Sequence, residues 1–232
     1  MKFSSILDKY IQFFSHRQEI CSIVLVGSAI TSDYPTDIDV LLINNDQKKA
    51  VESIKTFSKS TNIPIVISDD AFRLQDDNIE VSLVPKKINQ IKTELKKIIL
   101  GKNLGRNYCP WAVGGYFPEV FITDLLIAQA LWENHDVHIN NLQKYINSNL
   151  SSFFIKFQKY LREEIDIKSN YLNSTVSRNS LFHTSLQNDL DIANVRLAFA
   201  MDNKIFPGIK KFDKYLDGIS KKSLNIIKKI VN

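Results

Sequence analysis

The amino-acid sequence predicts an α+β fold, in which a mixed β-sheet with flanking helices is followed by an all-helical C-terminal half. The first half alternates short apolar, β-branched runs with segments of helical periodicity, whereas the chain from residue 119 onward shows helical periodicity alone. Between these halves lies GKNLGRNYCPWAVGGYFP, rich in the glycines and prolines that interrupt regular structure. We therefore expect two domains, residues 1–105 and residues 106–232.

The N-terminal half predicts two helices and four strands before residue 86. Ile6, Tyr10 and Phe14 recur at helical spacing and predict a helix over residues 4–18. A second helix is expected over residues 47–60, with Asp46 as its N-cap. Four short apolar runs, bounded by turn residues, predict strands over 21–26, 38–43, 63–67 and 79–84.

The later part of the chain predicts helices only. Lysines alternate with isoleucines and leucines at helical spacing over residues 88–100. Beyond the Gly/Pro-rich segment the predicted helices cover 119–133, 139–147, 151–174, 184–203 and 220–231.

Composition excludes several classes of protein. The two cysteines, Cys21 and Cys109, lack a metal-ligand spacing, which argues against a zinc site or a disulfide scaffold and for a reducing compartment. No window approaches a membrane span and the N-terminus lacks a signal-peptide core, so we expect a cytoplasmic protein. The net charge of +5 permits an anionic partner such as a nucleotide or RNA.

Two carboxylates interrupt the apolar run at residues 37–43. Side chains alternate across a strand, so Asp37 and Asp39 share one face while Ile38 and Val40 share the other. Two like charges so close repel each other, and burying them unpaired costs several kcal/mol. A divalent cation removes this cost, and Mg²⁺ prefers carboxylate oxygens together with substrate phosphates. The pattern therefore predicts a magnesium site.

A Gly-Ser turn and a third acidic residue extend this candidate site. Gly27 and Ser28 directly follow the first predicted strand, where glycine permits a close backbone approach and serine offers donors to an anion. Glu80 shares a strand face with Ser82 in the fourth predicted strand. It would complete a site for phosphoryl transfer if that strand neighbours the one carrying Asp37 and Asp39.

These motifs, LVGS, TDIDVLLI and NIEVSLV, resemble the nucleotidyltransferase superfamily of DNA polymerase beta. The resemblance covers about residues 20–86. It implies a mixed sheet, two Mg²⁺ ions and an NTP donor such as ATP, with transfer of a nucleotidyl group and release of pyrophosphate. By this resemblance Gly27 and Ser28 bind the triphosphate, Asp37 and Asp39 hold both metal ions, and Glu80 binds the metal nearer the acceptor.

The sequence departs from the family pattern in two places. The loop between Ser28 and Asp37 is shorter than in many relatives and lacks the Arg-Gly that often follows Gly-Ser. The third acid is a glutamate instead of the commoner aspartate, which leaves Asp76 or Asp77 as alternative third ligands.

The helical half adds weaker expectations. The segment LDIANVRLAFAMDNKIFPGIKKFDKYL is similar to helical domains of small-molecule nucleotidyltransferases, which shape the acceptor site. That likeness implies that Lys210 or Lys211 contacts the triphosphate and that Arg196 lines the cleft.

The acceptor is the least determined part of this prediction. We expect a hydroxyl of a small molecule, such as an aminoglycoside or lincosamide antibiotic. A protein or tRNA acceptor, as in toxin-type enzymes, is the alternative that agrees with the basic C-terminus. A catalytically silent nucleotide-binding module is the alternative from a different functional class.

Overall fold

The computed structural model describes residues 4–30, 35, 37–68, 71–76, 78–106, 117–134, 137–174, 181–208 and 215–231. The helices in this part of the chain are α1 (Ser4–Phe14), α2 (Gln47–Thr61), α3 (Ile88–Ile99), α4 (Pro118–Ile127), α5 (Ile139–Ser174), α6 (Leu181–Met201) and α7 (Lys221–Val231). The strands are β1 (Ile20–Val26), β2 (Asp37–Asn44), β3 (Ile65–Ser68), β4 (Ala71–Asp76), β5 (Ile79–Lys87) and β6 (Gln129–Glu133). This composition confirms the predicted α+β class.

The strands form one mixed sheet in the order β3-β4-β5-β2-β1-β6. The two central strands, β2 and β5, are parallel, and the other neighbouring pairs are antiparallel. A parallel pair requires a crossover connection, which here contains α2, β3 and β4. The sheet thus brings the strand of Asp37 and Asp39 beside the strand of Glu80.

One face of the sheet is covered by helices α1 and α2. Ile38 and Val40 of β2, with Val81 and Leu83 of β5, point into this core. The two helices contribute the apolar positions that their spacing predicts, namely Ile6, Tyr10 and Phe14 of α1 and Ala50, Ile54 and Phe57 of α2. Because side chains alternate along a strand, the residues between these core positions point to the other face.

The start of α2 is defined by the predicted cap. The Asp46 carboxylate accepts hydrogen bonds from the backbone N–H groups of Lys48 and Lys49, which have no partner inside the helix. At the other end Asn62 adopts a left-handed conformation, with φ of 56°.

The chain divides into two compact units. One contains residues Met1–Glu94 and Asp124–Tyr145, and the other contains Leu95–Thr123 and Ile146–Asn232. This division differs from the predicted domains, 1–105 and 106–232, because the chain returns to the sheet with β6. The second unit has its own apolar cluster, in which Phe117, Phe199 and Phe206 pack edge to face.

Two strands were absent from the sequence prediction. The sequence predicts one helix over residues 119–133. In the structure α4 ends at Ile127, and Gln129–Glu133 form strand β6, which pairs with β1. The apolar residues Ile127, Ala128 and Ala130 are compatible with both states, and pairing with the edge of β1 decides the outcome. Strand β4 buries Phe72, Leu74 and Asp76 at alternating positions, a period-2 signal present in the sequence.

The predicted helices 139–147 and 151–174 are one continuous helix, α5. The polar stretch between them, NSNLSS, contains neither glycine nor proline and therefore does not stop a helix. Within the described residues, no helix has the length and apolar character that crossing a bilayer requires.

Candidate functional site

Asp37 and Asp39 lie on the face of the sheet opposite to the helix-covered core. Their neighbours Ile38 and Val40 are fully buried, whereas both aspartates are only partly buried. The alternation predicted from the sequence is therefore present, and both carboxylates project from the same face of β2. We call this the carboxylate face.

Strand β5 brings Glu80 to the same face. In the parallel register, Asp37 pairs with Glu80 and Asp39 pairs with Ser82. Neighbouring strands lie about 4.8 Å apart. The adjacency of the two strands, which the sequence could only assume, is thus present in the sheet.

The predicted Gly-Ser turn lies directly against the two aspartates. Gly27 begins a short 3₁₀ turn, Gly27–Ile30, at the end of β1, and Val26 pairs with Asp39. Gly27 has φ of +73°, and a Cβ at this position would lie 2.5 Å from Asp39 Oδ2. The Ser28 hydroxyl donates to Asp37 Oδ1 at 3.3 Å. The missing side chain of Gly27 therefore leaves the space that the Asp39 carboxylate occupies.

The alternative third ligand Asp76 lies on the opposite face of the sheet. It pairs with Ile79 of β5, in alternation with the pair Gln75–Glu80. Its carboxylate is 4% exposed, and both of its oxygens lie 2.7 Å from Lys9 Nζ of α1. Asp76 therefore belongs to the core side and not to the carboxylate face, while Asp77 lies outside the described residues.

Arg73 is a residue of this face that the sequence prediction missed. It lies on β4, pairs with Ser82, and its Nη1 is 3.6 Å from Glu80 Oε1. Among the described residues, no group of three or more acidic, histidine or cysteine side chains is arranged to hold a metal ion. Recognising β4 from the alternation of Phe72 and Leu74 would have placed Arg73 on the polar face.

The donor set nevertheless fits Mg²⁺ as a two-carboxylate site. Asp37 and Asp39 supply hard oxygen ligands from one strand face, and the absence of a side chain at Gly27 gives the Asp39 carboxylate its space beside the turn. Mg²⁺ is commonly bound by one or two carboxylates, with water and substrate phosphates completing its coordination.

The residues predicted in the helical half have different outcomes. Lys210 and Lys211 lie outside the described residues. Arg196 was expected to line the cleft, but its side chain is 1% exposed and forms a two-pronged ion pair with Glu119, at 2.7 and 3.0 Å. The same guanidinium donates to the Leu104 carbonyl at 2.8 Å. Arg196 is therefore a buried, ion-paired residue of the second unit, and its predicted place in a substrate cleft stays a prediction.

The same network perturbs a nearby tyrosine. Burial is the main cause, and the charge of Glu164 the second, that raises the pKa of Tyr160 to about 12. Lys168 Nζ contacts Glu164 Oε1 at 2.6 Å. These charged groups organise the second unit and lie apart in sequence from the motifs of the carboxylate face.

This chain is similar to several solved structures. A nucleotidyltransferase-like protein from Exiguobacterium sibiricum 255-15 is 13% identical, with a TM-score of 0.40 over 99% of this chain and 71% of its own. The spectinomycin adenyltransferase AAD(9) from Enterococcus faecialis, solved with ATP and spectinomycin, is 12% identical, with a TM-score of 0.40 over 98% of this chain and 90% of its own.

The third structure, the CdnC:HORMA-deltaN complex of E. coli MS115-1, is 11% identical, with a TM-score of 0.27 over 84% of this chain and 64% of its own. No protein-family model matches the chain. A search of curated proteins gives no match. Similarities this low do not establish a shared activity.

Proposed function

We propose that this protein is a Mg²⁺-dependent nucleotidyltransferase that moves an NMP from an NTP to a hydroxyl of a small-molecule acceptor and releases pyrophosphate. The observation that carries the proposal is the joint projection of Asp37 and Asp39 from β2 beside the turn that begins at Gly27. A structural role for two aspartates on one strand face would not require a glycine in the left-handed region pressed against one of them.

Each residue of the face has a proposed role. Asp37 and Asp39 would hold Mg²⁺, and Glu80 is the proposed third ligand, opposite Asp37 on the neighbouring strand. When bound, Mg²⁺ would polarise the phosphoryl oxygens and neutralise their charge. The Ser28 hydroxyl orients the Asp37 carboxylate through its hydrogen bond.

The turn itself is suited to phosphate groups. Gly27 allows close approach of a ligand to the backbone, and N–H groups of a turn after a strand bind anions in many proteins. We propose that Gly27 and Ser28 contact the triphosphate. Lys210, outside the described residues, remains a proposed phosphate contact.

The charges of the carboxylate face favour a small acceptor over RNA. The charged side chains of β2, β4 and β5 on this face are Asp37, Asp39, Glu80, Arg73 and Lys86. Arg73 lies beside Glu80, and Lys86 is paired with Glu94 at 3.3 Å. An RNA backbone is usually followed by a stripe of basic residues, and these strands carry no such stripe among the described residues.

The proposal is tested by transfer of a labelled nucleotide. The protein is incubated with Mg²⁺, each α-labelled NTP in turn, and either hydroxylated antibiotics or RNA, and both pyrophosphate and labelled acceptor are measured. We expect equal amounts of the two products with a small acceptor, insensitivity to moderate salt, and loss of both in Asp39→Ala. Labelled RNA whose formation falls steeply with salt would contradict the proposed acceptor. NTP binding without transfer to any acceptor tested would favour the silent module.

A further inference from the structure

The carboxylate face carries a cation that the proposed reaction does not use. Arg73 of β4 pairs with Ser82 of β5, and Ser82 in turn pairs with Asp39 of β2. These three strands are adjacent, so the Cα atoms of Arg73 and Asp39 are separated by roughly two strand spacings, about 9.5 Å. The long Arg73 side chain reaches Glu80, which lies two residues before Ser82 on β5 and therefore on the same face.

The contact between Arg73 and Glu80 is loose. Arg73 Nη1 lies 3.6 Å from Glu80 Oε1, and the two side chains are 36% and 37% exposed. Arg73 Nε is buried and makes no hydrogen bond to any of the described residues. A guanidinium fork that satisfied Glu80 fully would use two N–H groups at shorter distances. An exposed ion pair of this geometry is weak. A ligand that binds the Glu80 carboxylate more strongly therefore displaces the Arg73 guanidinium readily.

We propose that Arg73 holds Glu80 away from Asp37 and Asp39, so that a divalent cation must displace the guanidinium before Glu80 becomes its third ligand. This inference rests on the proposed function. It accounts for a specific feature of the structure, since Glu80 is in register with Asp37 yet the described residues contain no ready three-ligand cluster.

The proposal makes Arg73 a positioning residue that acts through Glu80. A divalent cation coordinates a carboxylate oxygen directly, at about 2.1 Å, whereas Arg73 Nη1 lies 3.6 Å from Glu80 Oε1. Because Coulomb energy rises as the distance falls, this shorter contact favours Glu80 at the metal despite repulsion from the two aspartates. Without Arg73, Glu80 would join the site without first breaking an ion pair. Removing Arg73 should therefore tighten metal binding, and this gain should require Glu80.

Binding of Mn²⁺ alone, followed by the electron paramagnetic resonance signal of the free ion, tests this coupling without an activity assay. The Mn²⁺ affinity is compared among wild type, Arg73→Gln, Glu80→Gln and the double variant. Lys55→Gln, an exposed residue of α2, makes the same change of net charge away from the face and serves as control. Arg73→Lys keeps the charge but loses the fork, and it provides a second variant should Arg73→Gln fold poorly.

We expect Arg73→Gln to tighten Mn²⁺ binding at least three-fold, Arg73→Lys to have a smaller effect in the same direction, and Lys55→Gln to have none. In the Glu80→Gln background, Arg73→Gln should change the affinity by less than half as much. Wild-type affinity in Arg73→Gln, or an equal gain with and without Glu80, would overturn the role of Arg73 while leaving the metal site intact. Absence of Mn²⁺ binding in every variant would instead overturn the proposed function.

Discussion

Replacing Gly27 with alanine separates the function of the carboxylate face from the stability of the fold. The new Cβ would lie 2.5 Å from Asp39 Oδ2, closer than two such atoms can approach. Because the nearest atom is the end of a side chain, the conflict is relieved when the Asp39 carboxylate rotates away. The fold can therefore survive at the expense of the proposed metal site.

The size of each effect follows from the local geometry. Alanine at φ of +73° pays the cost of the left-handed region, about 1–2 kcal/mol. Displacing one of the two carboxylates that we propose as metal ligands should weaken metal binding by about 10- to 100-fold, an effect comparable to losing a ligand-orienting residue. The stability effect is shared by other glycines in this conformation, whereas the binding effect is specific to Gly27.

Gly208 provides the matched control. Its φ is +91°, but the nearest atom to an added Cβ is Val120 Cγ2 at 3.9 Å, an ordinary contact. Both variants should lower the free energy of unfolding in urea by a similar amount. In the Mn²⁺ assay only Gly27→Ala should lose affinity, and Gly208→Ala should match wild type. Wild-type Mn²⁺ affinity in a folded Gly27→Ala protein would refute the placement of Asp39 in a metal site.

Three further predictions concern stability. Burial and the charge of Glu164 raise the pKa of Tyr160 to about 12, so the folded state is stabilised below pH 10 and loses this contribution as the pH rises towards 12. Wild type should therefore lose about 1–2 kcal/mol of unfolding free energy over this range in urea titrations, because Tyr160 is only partly buried. Tyr160→Phe should not show this loss. Burial raises the pKa of Asp202, but hydrogen bonds from Ser220 and Ser223 and the charge of Lys204 outweigh it and lower the pKa overall. Asp202→Asn should therefore destabilise by about 0.5–1 kcal/mol at pH 7, and this difference should vanish on acidification below pH 4, where wild type loses the same contribution. Glu119→Gln leaves the buried Arg196 guanidinium with Glu164, at 3.6 Å, as its remaining carboxylate partner among the described residues, and should cost about 2–3 kcal/mol by denaturant titration. Glu163→Gln breaks an exposed 3.9 Å pair and should cost less than about 0.5 kcal/mol.

The sequence was sufficient to predict that Asp37 and Asp39 share one face of β2. Strict alternation places Asp37 and Asp39 on one face, and the apolar residues Ile38 and Val40 indicate which face is buried. A glycine directly after a strand indicates a close approach, although the partner, Asp39, could not be identified before β1 and β2 were paired. Local patterns therefore determined which residues face the same way.

What the sequence could not supply depends on pairing between distant segments. Five residues such as Gln129–Glu133 become a strand only because β1 offers a free edge, and no local signal separates them from the preceding helix. The roles of Asp76 and Arg196 likewise depend on their partners Lys9 and Glu119, which are 67 and 77 residues away. Charged residues are the hardest to assign, since the same side chain serves as a ligand or as half of a buried ion pair.

Calorimetric titration of ATP, GTP, CTP and UTP, with and without Mg²⁺, tests the carboxylate face most directly. It compares wild type with Asp39→Asn and with Asp76→Asn, which removes a carboxylate from the opposite face of the same sheet. We expect Mg²⁺-dependent binding of at least one NTP in wild type, retained in folded Asp76→Asn and lost in Asp39→Asn. Binding that survives in Asp39→Asn, or that a folded wild type never shows, would contradict the assignment of Asp37 and Asp39 to a magnesium–nucleotide site.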